Sequence, residues 1–479
     1  AAALSGFTMA ADLGRGKLGT IANVAAGNYR QLGLSTETNG LTIDRHVVVV
    51  GATDHLGSVA YYSNPGASIL VVAPSSDTYT GITTTDVTGL LGYSEDDYTS
   101  TFGGTSAATP QIAGIQAAML EANPGLGWRD VQKILSISAT HTGSEIGAGT
   151  YRYEASAWIF NAAGNWNGGG LHFSNDYGFG MADAHAAVLL AEDWFKAFSA
   201  AAVSANELNA SGTVSGSWHV GQAKTTDIQI EIGFNQTIEA MVLNLTDFKF
   251  SASRNLTIDL ISPSGTVSRL LDQNGLEGAV ISNGWQLMSR AFQGENAAGT
   301  WTIRISSASA SDVGSLSNLS LTAYGSSVED QSVFVYTDEF GKYWTEERSL
   351  LDYQAGPATI FASAVTGSML LDLRTGTGLL GDSPISIAPG TYVRTVITGD
   401  SDSQVIAGDA DVRFFGGRGG DLLIGGAGND AIDGGDGNDT IDGGGGNDVL
   451  AGGAGIDTLS YASAASGVTV SLAAKSAQQ

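Results

Sequence analysis

The sequence predicts a chain of several domains: an α/β region with a parallel sheet, a β-sandwich, and a parallel stack of short strands. Three observations predict this order. Continuous apolar runs and helical spacings occupy residues 1–198, strict alternation of apolar and polar residues marks residues 203–326, and glycine and aspartate concentrate near the C-terminal end. A length of 479 residues suffices for about three domains, each with its own core.

Composition narrows the class of function. The chain has no cysteine, and its formal charge is 21 − 48 = −27. It therefore has neither a disulfide framework nor thiolate chemistry. The low Lys+Arg count argues against nucleic acid and anionic membranes as main partners, and no run approaches the roughly 20 apolar residues that cross a bilayer. The acidic excess points to metal cations or to solubility, and we expect a monomer.

The first region shows buried strands that alternate with helices. The runs Val47-Val48-Val49-Val50 and Ile69-Leu70-Val71-Val72 are typical of strands that are covered on both faces. Helical spacing marks two helices, one with Ile112, Ile115 and Met119 and one with Trp128, Val131 and Leu135. Asn123-Pro124 ends the first of these helices.

Residues 203–326 change to a period of two. The apolar members of the alternating runs are Ile228, Ile230, Ile232, Leu256, Ile258, Leu260, Trp301, Ile303, Ile305, Leu319 and Leu321. Ser262-Pro263-Ser264-Gly265 is a turn between two such strands. The pattern predicts an antiparallel sandwich with Trp301 buried in its core. A sugar-binding sandwich is the alternative, but no exposed aromatic stripe supports it.

Residues 400–460 carry 12 Asp, no Glu and 2 Arg, and hold 18 of the 66 Gly. Five nonapeptides run there in strict phase, and they open at Gly416, Gly425, Gly434, Gly443 and Gly452. Their sixth residue is always aspartate: Asp421, Asp430, Asp439, Asp448 and Asp457. Their eighth residue is always Leu or Ile: Leu423, Ile432, Ile441, Leu450 and Leu459. Backbone carbonyls and a carboxylate are the oxygen ligands that Ca²⁺ prefers, and turns that bury so little must stack.

The pattern Gly-Gly-x-Gly-x-Asp-x-apolar-x resembles the RTX, or haemolysin-type, calcium-binding repeat. The resemblance implies a β-roll in which each ion lies between one turn and the turn two repeats on, so five repeats give about three complete sites. Residues 398–406 and 407–415 look like two decayed repeats, and residues 461–468 are typical of a strand that links such blocks. Because the aspartates repel one another, we expect calcium binding and folding to be coupled. A flexible Gly/Asp linker is the alternative, which the strict phase disfavours.

Small residues surround a serine just before the first predicted helix, in Gly104-Thr105-Ser106-Ala107-Ala108-Thr109-Pro110. There Ser106 would lie at a helix N-terminus, where free N–H groups can hold an oxyanion, although a simple N-cap serine is the alternative. The segment resembles the nucleophile motif of subtilisin-like serine proteases, and Ala25-Ala26-Gly27-Asn28 resembles their oxyanion segment. The resemblance implies that Ser106 attacks the scissile carbonyl and that the Asn28 side chain donates to the oxyanion.

Further segments resemble the kexin- or furin-like type of that family. They are Ser63-Asn64-Pro65-Gly66, Ala73-Pro74, Ile82-Thr83-Thr84-Thr85-Asp86, Leu120-Glu121-Ala122-Asn123-Pro124, Trp128-Arg129-Asp130-Val131-Gln132 and Tyr177-Gly178-Phe179-Gly180. Residues 205–325 resemble the P (Homo B) domain, a jelly-roll that packs on such proteases and stabilises them. The segments that carry this second resemblance are Leu260-Ile261-Ser262-Pro263-Ser264-Gly265-Thr266, Phe292-Gln293-Gly294-Glu295 and Ala298-Gly299-Thr300-Trp301-Thr302-Ile303. Residues 327–397 resemble the β-rich lead-in of serralysin-type exoproteases.

Two departures qualify the resemblance. The rest of the family's catalytic triad lies in Asp-x-Gly and His-Gly-Thr motifs upstream of the asparagine. None of the six histidines precedes Gly-Thr, and before Asn28 the only aspartate is Asp12, which we do not identify as the family's motif. We therefore expect the chain to lack the start of its catalytic domain, to be cut after Gln479 as well, and to be inactive alone. Asn39, eleven residues after Asn28, stands where kexin-like enzymes pair an aspartate with a basic substrate side chain, so strict cleavage after Arg or Lys is not expected.

These observations predict a domain order of 1–198 (partial subtilisin-like domain), 203–326 (P domain), 327–397 (lead-in) and 398–479 (calcium-binding β-roll). They predict a secreted, bacterial, calcium-dependent serine endopeptidase that acts on polypeptides. The alternative is a non-catalytic calcium-binding surface or adhesive protein whose protease fold is a degenerate scaffold.

Overall fold

A computed structural model describes residues 2–273, 281 and 284–464. Contacts divide the chain into two compact units. The first comprises the described residues of Ala1–Ala163, Leu171–Ala187 and Ala201–Val328, and the second those of Gly164–Gly170, Val188–Ala200 and Glu329–Gln479. None of the helices in the described ranges is long and apolar enough to cross a membrane.

An α/β region begins the chain and lies in the first unit, apart from Gly164–Gly170 and the later part of its last helix. Its elements are α1 (Ala2–Leu13), β1 (Ala22–Ala25), β2 (Val47–Thr53), β3 (Ile69–Pro74), β4 (Ile82–Thr85), β5 (Tyr98–Phe102), α2 (Thr105–Ala122), α3 (Trp128–Ser138), β6 (Ile159–Phe160), β7 (His172–Phe173) and α4 (Ala184–Ala197). Strands β1, β2 and β3 form a parallel sheet in that order, with Val47 opposite Ala22. Every residue of β2 is buried, which confirms the strand predicted there, and α2 ends directly before Asn123-Pro124, as predicted.

A sandwich of two antiparallel sheets completes the first unit. Its strands are β8 (Leu208–Gly221), β9 (Thr225–Ile232), β10 (Thr237–Thr246), β11 (Lys249–Phe250), β12 (Leu256–Ile261), β13 (Val267–Asp272), β14 (Trp285–Ser289), β15 (Gly299–Ser307) and β16 (Val313–Ser326). One sheet has the order β11-β16-β10-β14 with β8 also on β16, and the other the order β13-β12-β15-β9. The alternating residues of both sheets share one core, in which Trp301 is fully buried, edge-on to Phe292, as predicted.

The second unit is built on two further sheets. Its elements are β17 (Val333–Thr337), α5 (Glu339–Lys342), β18 (Leu350–Leu351), β19 (Pro357–Ala364), β20 (Met369–Asp372), β21 (Thr377–Leu380), β22 (Ser383–Ile387), β23 (Tyr392–Ile397), β24 (Gln404–Ile406), β25 (Arg413–Phe415), β26 (Leu422–Ile424), β27 (Ala431–Gly437), β28 (Thr440–Asp442), β29 (Val449–Gly455) and β30 (Thr458–Ser460). The sheet orders are β17-β19-β23-β25-β27-β29 and β18-β22-β21-β20-β24-β26-β28-β30.

From β24 onward, successive strands go alternately to the two sheets. Each pairs in parallel with the strand two places on, so that Val405, Leu423 and Ile441 are aligned at intervals of 18 residues. These three apolar side chains are buried between the sheets. This is the predicted parallel β-roll, and the lead-in strands β20 and β23 join its two sheets directly. Of the strand predicted at 461–468, residues 461–464 form none, and the rest lies outside the described residues.

Candidate active site and calcium turns

Ser106 lies in the first turn of α2, and its side chain is exposed. Gly104, just before the helix, has a φ of 80°, a conformation that favours glycine. Hydrogen bonds occupy the amide of Thr105, which donates to Asn28, and that of Ala107, which donates to the Gly104 carbonyl at 3.0 Å. Within the described ranges no hydrogen bond occupies the Ser106 amide, so this N–H is free to donate to a reacting oxygen.

Asn28 follows β1 at the carboxyl end of the parallel sheet. Its side-chain Oδ1 accepts hydrogen bonds from the amide and the hydroxyl of Thr105, at 2.8 and 2.9 Å. Since Oδ1 is held there, the Nδ2 group lies beside Gly104, where an added Cβ would come within 2.9 Å of it. The structure thus brings Asn28 and the loop of Ser106 together. It leaves Nδ2 available as a second hydrogen-bond donor beside the Ser106 amide.

Two residues that the sequence reasoning missed hold the Gly104 peptide from both sides. The Tyr62 hydroxyl accepts from the Gly104 amide at 3.2 Å and donates to Ser75 Oγ at 2.9 Å. Ser75 Oγ in turn donates to the Gly104 carbonyl at 2.7 Å. Tyr62 and Ser75 directly precede and follow segments that carry the family resemblance, but no local pattern shows that both converge on Gly104.

No histidine is hydrogen-bonded to Ser106 in the part of the chain that the structure describes. His46 is buried and bonded to Asp44 at 2.7 Å, and His55 is bonded to Asp77 at 2.8 Å. His141 and His172 pack against the ring of Trp158. The described site therefore brings an exposed serine hydroxyl and the Asn28 side chain to one loop, without a histidine that is hydrogen-bonded to the serine.

Asn39 is exposed, and its Oδ1 accepts from the Leu41 amide at 3.1 Å, within its own loop. Glu37, two residues earlier, is by contrast buried against the sandwich. Its Oε1 accepts from the Thr36 hydroxyl at 3.1 Å, and its Oε2 lies 3.4 Å from the Met288 amide of β14. Burial raises the pKa of Glu37 to about 7. A buried carboxylate in a polar loop gives no sequence signal, and the sequence reasoning missed it.

A buried ion pair joins the α/β region to the sandwich within the first unit. Arg129 of α3 has a side chain that is 1% exposed, and its guanidinium binds both carboxylate oxygens of Glu239 in β10 at 2.7 Å. The same group donates to the Gly325 carbonyl at 2.7 Å. This fork geometry matches an arginine to a carboxylate, so the pair fixes α3 against two strands of the sandwich.

The five aspartates predicted as calcium ligands occupy equivalent positions in the roll. In each case Oδ1 accepts from the backbone amide 18 residues earlier, at 2.7 to 3.2 Å. In chain order, Asp421, Asp430, Asp439, Asp448 and Asp457 accept from Ser403, Val412, Asp421, Asp430 and Asp439. Residues 18 apart stack, so the aspartates form two columns, one with Asp421, Asp439 and Asp457 and one with Asp430 and Asp448.

The second carboxylate oxygen suits a cation. The Oδ2 atoms of Asp421, Asp430 and Asp439 are buried and have no hydrogen-bond partner. A Cβ on Gly416 would collide with Asp421 Oδ2 and with the Gly434 carbonyl oxygen, so glycine there keeps open a space that is lined by oxygen atoms. Burial and neighbouring carboxylates raise the pKa of Asp421 to about 7. A buried, partnerless carboxylate beside backbone carbonyls fits the oxygen ligation that Ca²⁺ requires.

The Oδ1 hydrogen bond recurs at five aspartates, whereas a buried Oδ2 without a partner is found at three of the described ones. The segments that look like decayed repeats, 398–406 and 407–415, supply the amides that donate to Asp421 and Asp430. Burial decreases along the stack: Leu423 is fully buried, whereas Leu459 is 43% exposed. No group of three or more His, Cys, Asp or Glu side chains that could hold a metal ion is found among the described residues.

Comparison with protein families identifies three regions. Residues 2–180 match the subtilase family, residues 242–323 match the proprotein convertase P-domain, and matches to the RTX calcium-binding nonapeptide repeat span 397–459.

Individual relatives agree with this assignment. The chain is 27% identical over 357 residues to Protease KEX1 of Kluyveromyces lactis, and the aligned region covers 74% of this chain and 44% of that protein. It is 30% identical over 299 residues to Kexin of Saccharomyces cerevisiae, covering 61% of this chain and 34% of that one. The chain thus spans less than half of the length of either relative.

A solved structure shows the same fold. The serine protease of Aeromonas sobria superimposes with a TM-score of 0.56 at 21% identity, covering 68% of both chains. The multidomain fold predicted from the sequence is confirmed by these matches together with the parallel sheet, the sandwich and the β-roll. Residues 2–180 therefore belong to the subtilase family, in its kexin-like type, and a convertase P domain and RTX calcium-binding repeats follow them in the chain.

Proposed function

We propose that this chain is part of a secreted, bacterial, calcium-dependent serine endopeptidase, with Ser106 as its nucleophile. The observation that carries the proposal is the placement of the exposed Ser106 hydroxyl in a helix turn whose loop is bonded to Asn28. Cleavage requires an aspartate and a histidine from a segment that carries the two missing motifs. Without that segment we expect no peptide hydrolysis.

In the proposed reaction, Ser106 attacks the carbonyl carbon of the scissile peptide bond, and the histidine of the added segment takes its proton. The Ser106 amide and Asn28 Nδ2 donate to the oxyanion that forms. Thr105, Tyr62 and Ser75 act as positioning residues, because they hold Asn28 and Gly104 without reaching the substrate. Loss of one oxyanion donor lowers turnover by about 10²- to 10³-fold.

Calcium would be held by the five roll aspartates and by carbonyls of the glycine-rich turns. When bound it supplies positive charge and ligation that hold stacked turns together, and it takes no part in the chemistry. Extracellular calcium is high enough to fold such a roll after export, which supports the proposed secretion.

The pocket for the substrate residue before the scissile bond is proposed to lack a strict preference for Arg or Lys. Asn39 carries no charge, and part of its amide is engaged within its own loop. We expect Asn39→Asp to raise the preference for arginine over leucine at that position, since a charged partner roughly doubles hydrogen-bond strength. Peptide libraries that differ at this residue measure the preference.

The decisive experiment supplies a segment that carries both motifs. A protein in which a kexin-type segment with both motifs precedes Ala1 should hydrolyse casein in calcium, and Ser106→Ala should abolish the hydrolysis. Ser100→Ala, which changes an exposed serine of β5 in the same loop region, is the matched control and should leave hydrolysis intact.

Hydrolysis that persists in Ser106→Ala would remove Ser106 from its role. A folded, calcium-binding protein that never cleaves casein would favour the non-catalytic surface or adhesive protein instead.

A further inference from the structure

Two segments that precede the sandwich in the chain belong to the unit that carries the roll. They are Gly164–Gly170 and Val188–Ala200, and the second contains most of α4. Helix α4 begins at Ala184 in the first unit and continues as part of the second. The later part of α4 is therefore packed on strands that follow it by more than 100 residues in the chain.

The loop Gly164–Gly170 forms an additional edge on the six-stranded sheet. Asn167 donates its amide to the Val335 carbonyl, and the Val335 amide donates to the Asn165 carbonyl, both at 2.9 Å. The Asn167 side chain also exchanges two hydrogen bonds with Thr337, at 2.8 and 3.0 Å. These bonds pair the loop with the whole length of β17.

The later turns of α4 pack on the neighbouring strand of the same sheet. Trp194 is 1% exposed and its ring lies 6.0 Å from that of Phe361 in β19. Asp193 Oδ2 accepts from the Ser363 hydroxyl at 2.6 Å. Because β19 pairs with β23 and β23 pairs with β25, this surface continues directly into the roll.

Helix α4 also contacts the first calcium turn itself. Glu192 binds Arg418 at 2.7 Å, and the same guanidinium binds Asp400 at 2.8 Å. The Lys196 ammonium lies 5.2 Å from the centre of the Phe415 ring. Phe415 directly precedes the first nonapeptide and Arg418 is its third residue, so the helix touches the turn that presents Asp421 to the cation.

We propose that calcium binding to residues 416–421 stabilises helix α4, and thereby couples cation loading of the roll to the order of a helix that precedes the sandwich in the chain. The inference rests on the proposed calcium binding. In a metal-free turn, repulsion among the aspartates opens the backbone that holds Phe415 and Arg418, and the helix loses both partners. Coupling free energies are reciprocal, so helix docking should in turn raise the affinity for calcium.

Hydrogen exchange of the intact chain tests the coupling. Amide exchange is compared with millimolar calcium and with a chelator, and peptides from α4 and from β26 to β28 are followed separately. We expect calcium to slow exchange in both regions. Slower exchange in the roll with unchanged α4 would overturn this inference alone, whereas no change anywhere would contradict calcium binding by the roll and the coupling with it.

A variant separates the specific contact from general stabilisation. In calcium, Arg418→Ala should speed exchange in α4 by about two- to fivefold, the size expected for exposed ion pairs, while β26 to β28 keep their protection. Arg374→Ala removes an exposed pair with Asp372 elsewhere in the unit and should leave α4 unchanged. Glu192→Gln breaks the same contact from the helix side and should repeat the Arg418→Ala result. Equal exchange in α4 for all four proteins would overturn the role of Arg418.

Discussion

At the residue scale, the site depends on groups whose backbone or burial is unusual. Gly104 adopts a positive φ so that the loop can meet Asn28, and Glu37 keeps a carboxylate away from water. Both conditions are imposed by neighbours that lie far away in the sequence. Each gives a prediction that one substitution can test.

Gly104→Ala should distort the nucleophile loop. A Cβ at φ 80° and ψ 170° is strained by about 1–3 kcal/mol and would also press on Asn28 Nδ2. We expect a lower melting temperature for the first unit and, in the restored enzyme, a fall in turnover with little change in KM. Gly114→Ala, where an added Cβ meets nothing, is the control and should stabilise helix α2 slightly. An unchanged turnover in Gly104→Ala would contradict the need for close approach.

Glu37 should make the first unit less stable at alkaline pH. Its folded pKa of about 7 lies above the ordinary value of 4.5, so stability is fully present at acid pH and is lost as pH rises through 7. Glu37→Gln should stabilise the chain at about pH 8.5 by up to about 3 kcal/mol and change little at about pH 5. Urea unfolding at both pH values measures the difference. The exposed Glu231→Gln should show no such pH dependence, and a pH-independent effect of Glu37→Gln would contradict the assigned cause.

At the scale of elements, contacts between distant strands and helices decide what the sequence could not predict. The strands β2, β3, β9, β12 and β15, the helices α2 and α3 and the nonapeptide roll all follow from local periodicity, because that periodicity reflects which face is buried. Asn28 and Ser106 could be paired only through the family resemblance. Tyr62, Ser75, Glu37 and the part played by α4 in the second unit depend on side chains that meet across long sequence separations, for which one sequence has no signal.

The Arg129–Glu239 pair should contribute more to the free energy of unfolding than the exposed ion pairs do. Arg129→Ala leaves the carboxylate of Glu239 against the sandwich without its partner, and removing one member of a buried pair costs about 3–5 kcal/mol. Arg304→Ala breaks an exposed pair with Asp227 in the same sandwich and should cost less than about 1 kcal/mol. Denaturant unfolding of both variants gives the comparison, and equal losses would contradict a special role for the buried pair.

At the scale of the whole molecule, charge and cation binding act together. Residues 400–460 carry 2 − 12 = −10 of the total charge of −27, so bound divalent cations would reduce the repulsion among these carboxylates.

Removal of calcium should lower the melting temperature of the second unit, and more so at higher pH. Burial raises the pKa of Asp421 to about 7 and that of Asp430 to about 6, so a metal-free roll is stabilised by protons and loses this stability as pH rises through 6–7. When calcium is bound, its positive charge replaces the protons in neutralising these carboxylates. Calorimetry in chelator at about pH 5.5 and about pH 8, repeated in calcium, should show the fall only in chelator. A fall of the same size in calcium would contradict cation binding at these carboxylates.

The stacking interval of 18 residues, twice the length of one repeat, has a consequence for how such a roll can change length. Removing or duplicating a single nonapeptide would keep every turn regular but would send each downstream strand to the opposite sheet. A change of two nonapeptides would restore the original side. Whether the number of repeats is odd or even therefore matters as much as the number itself. A protein whose chain must leave the roll from one particular sheet can gain or lose these repeats only in pairs.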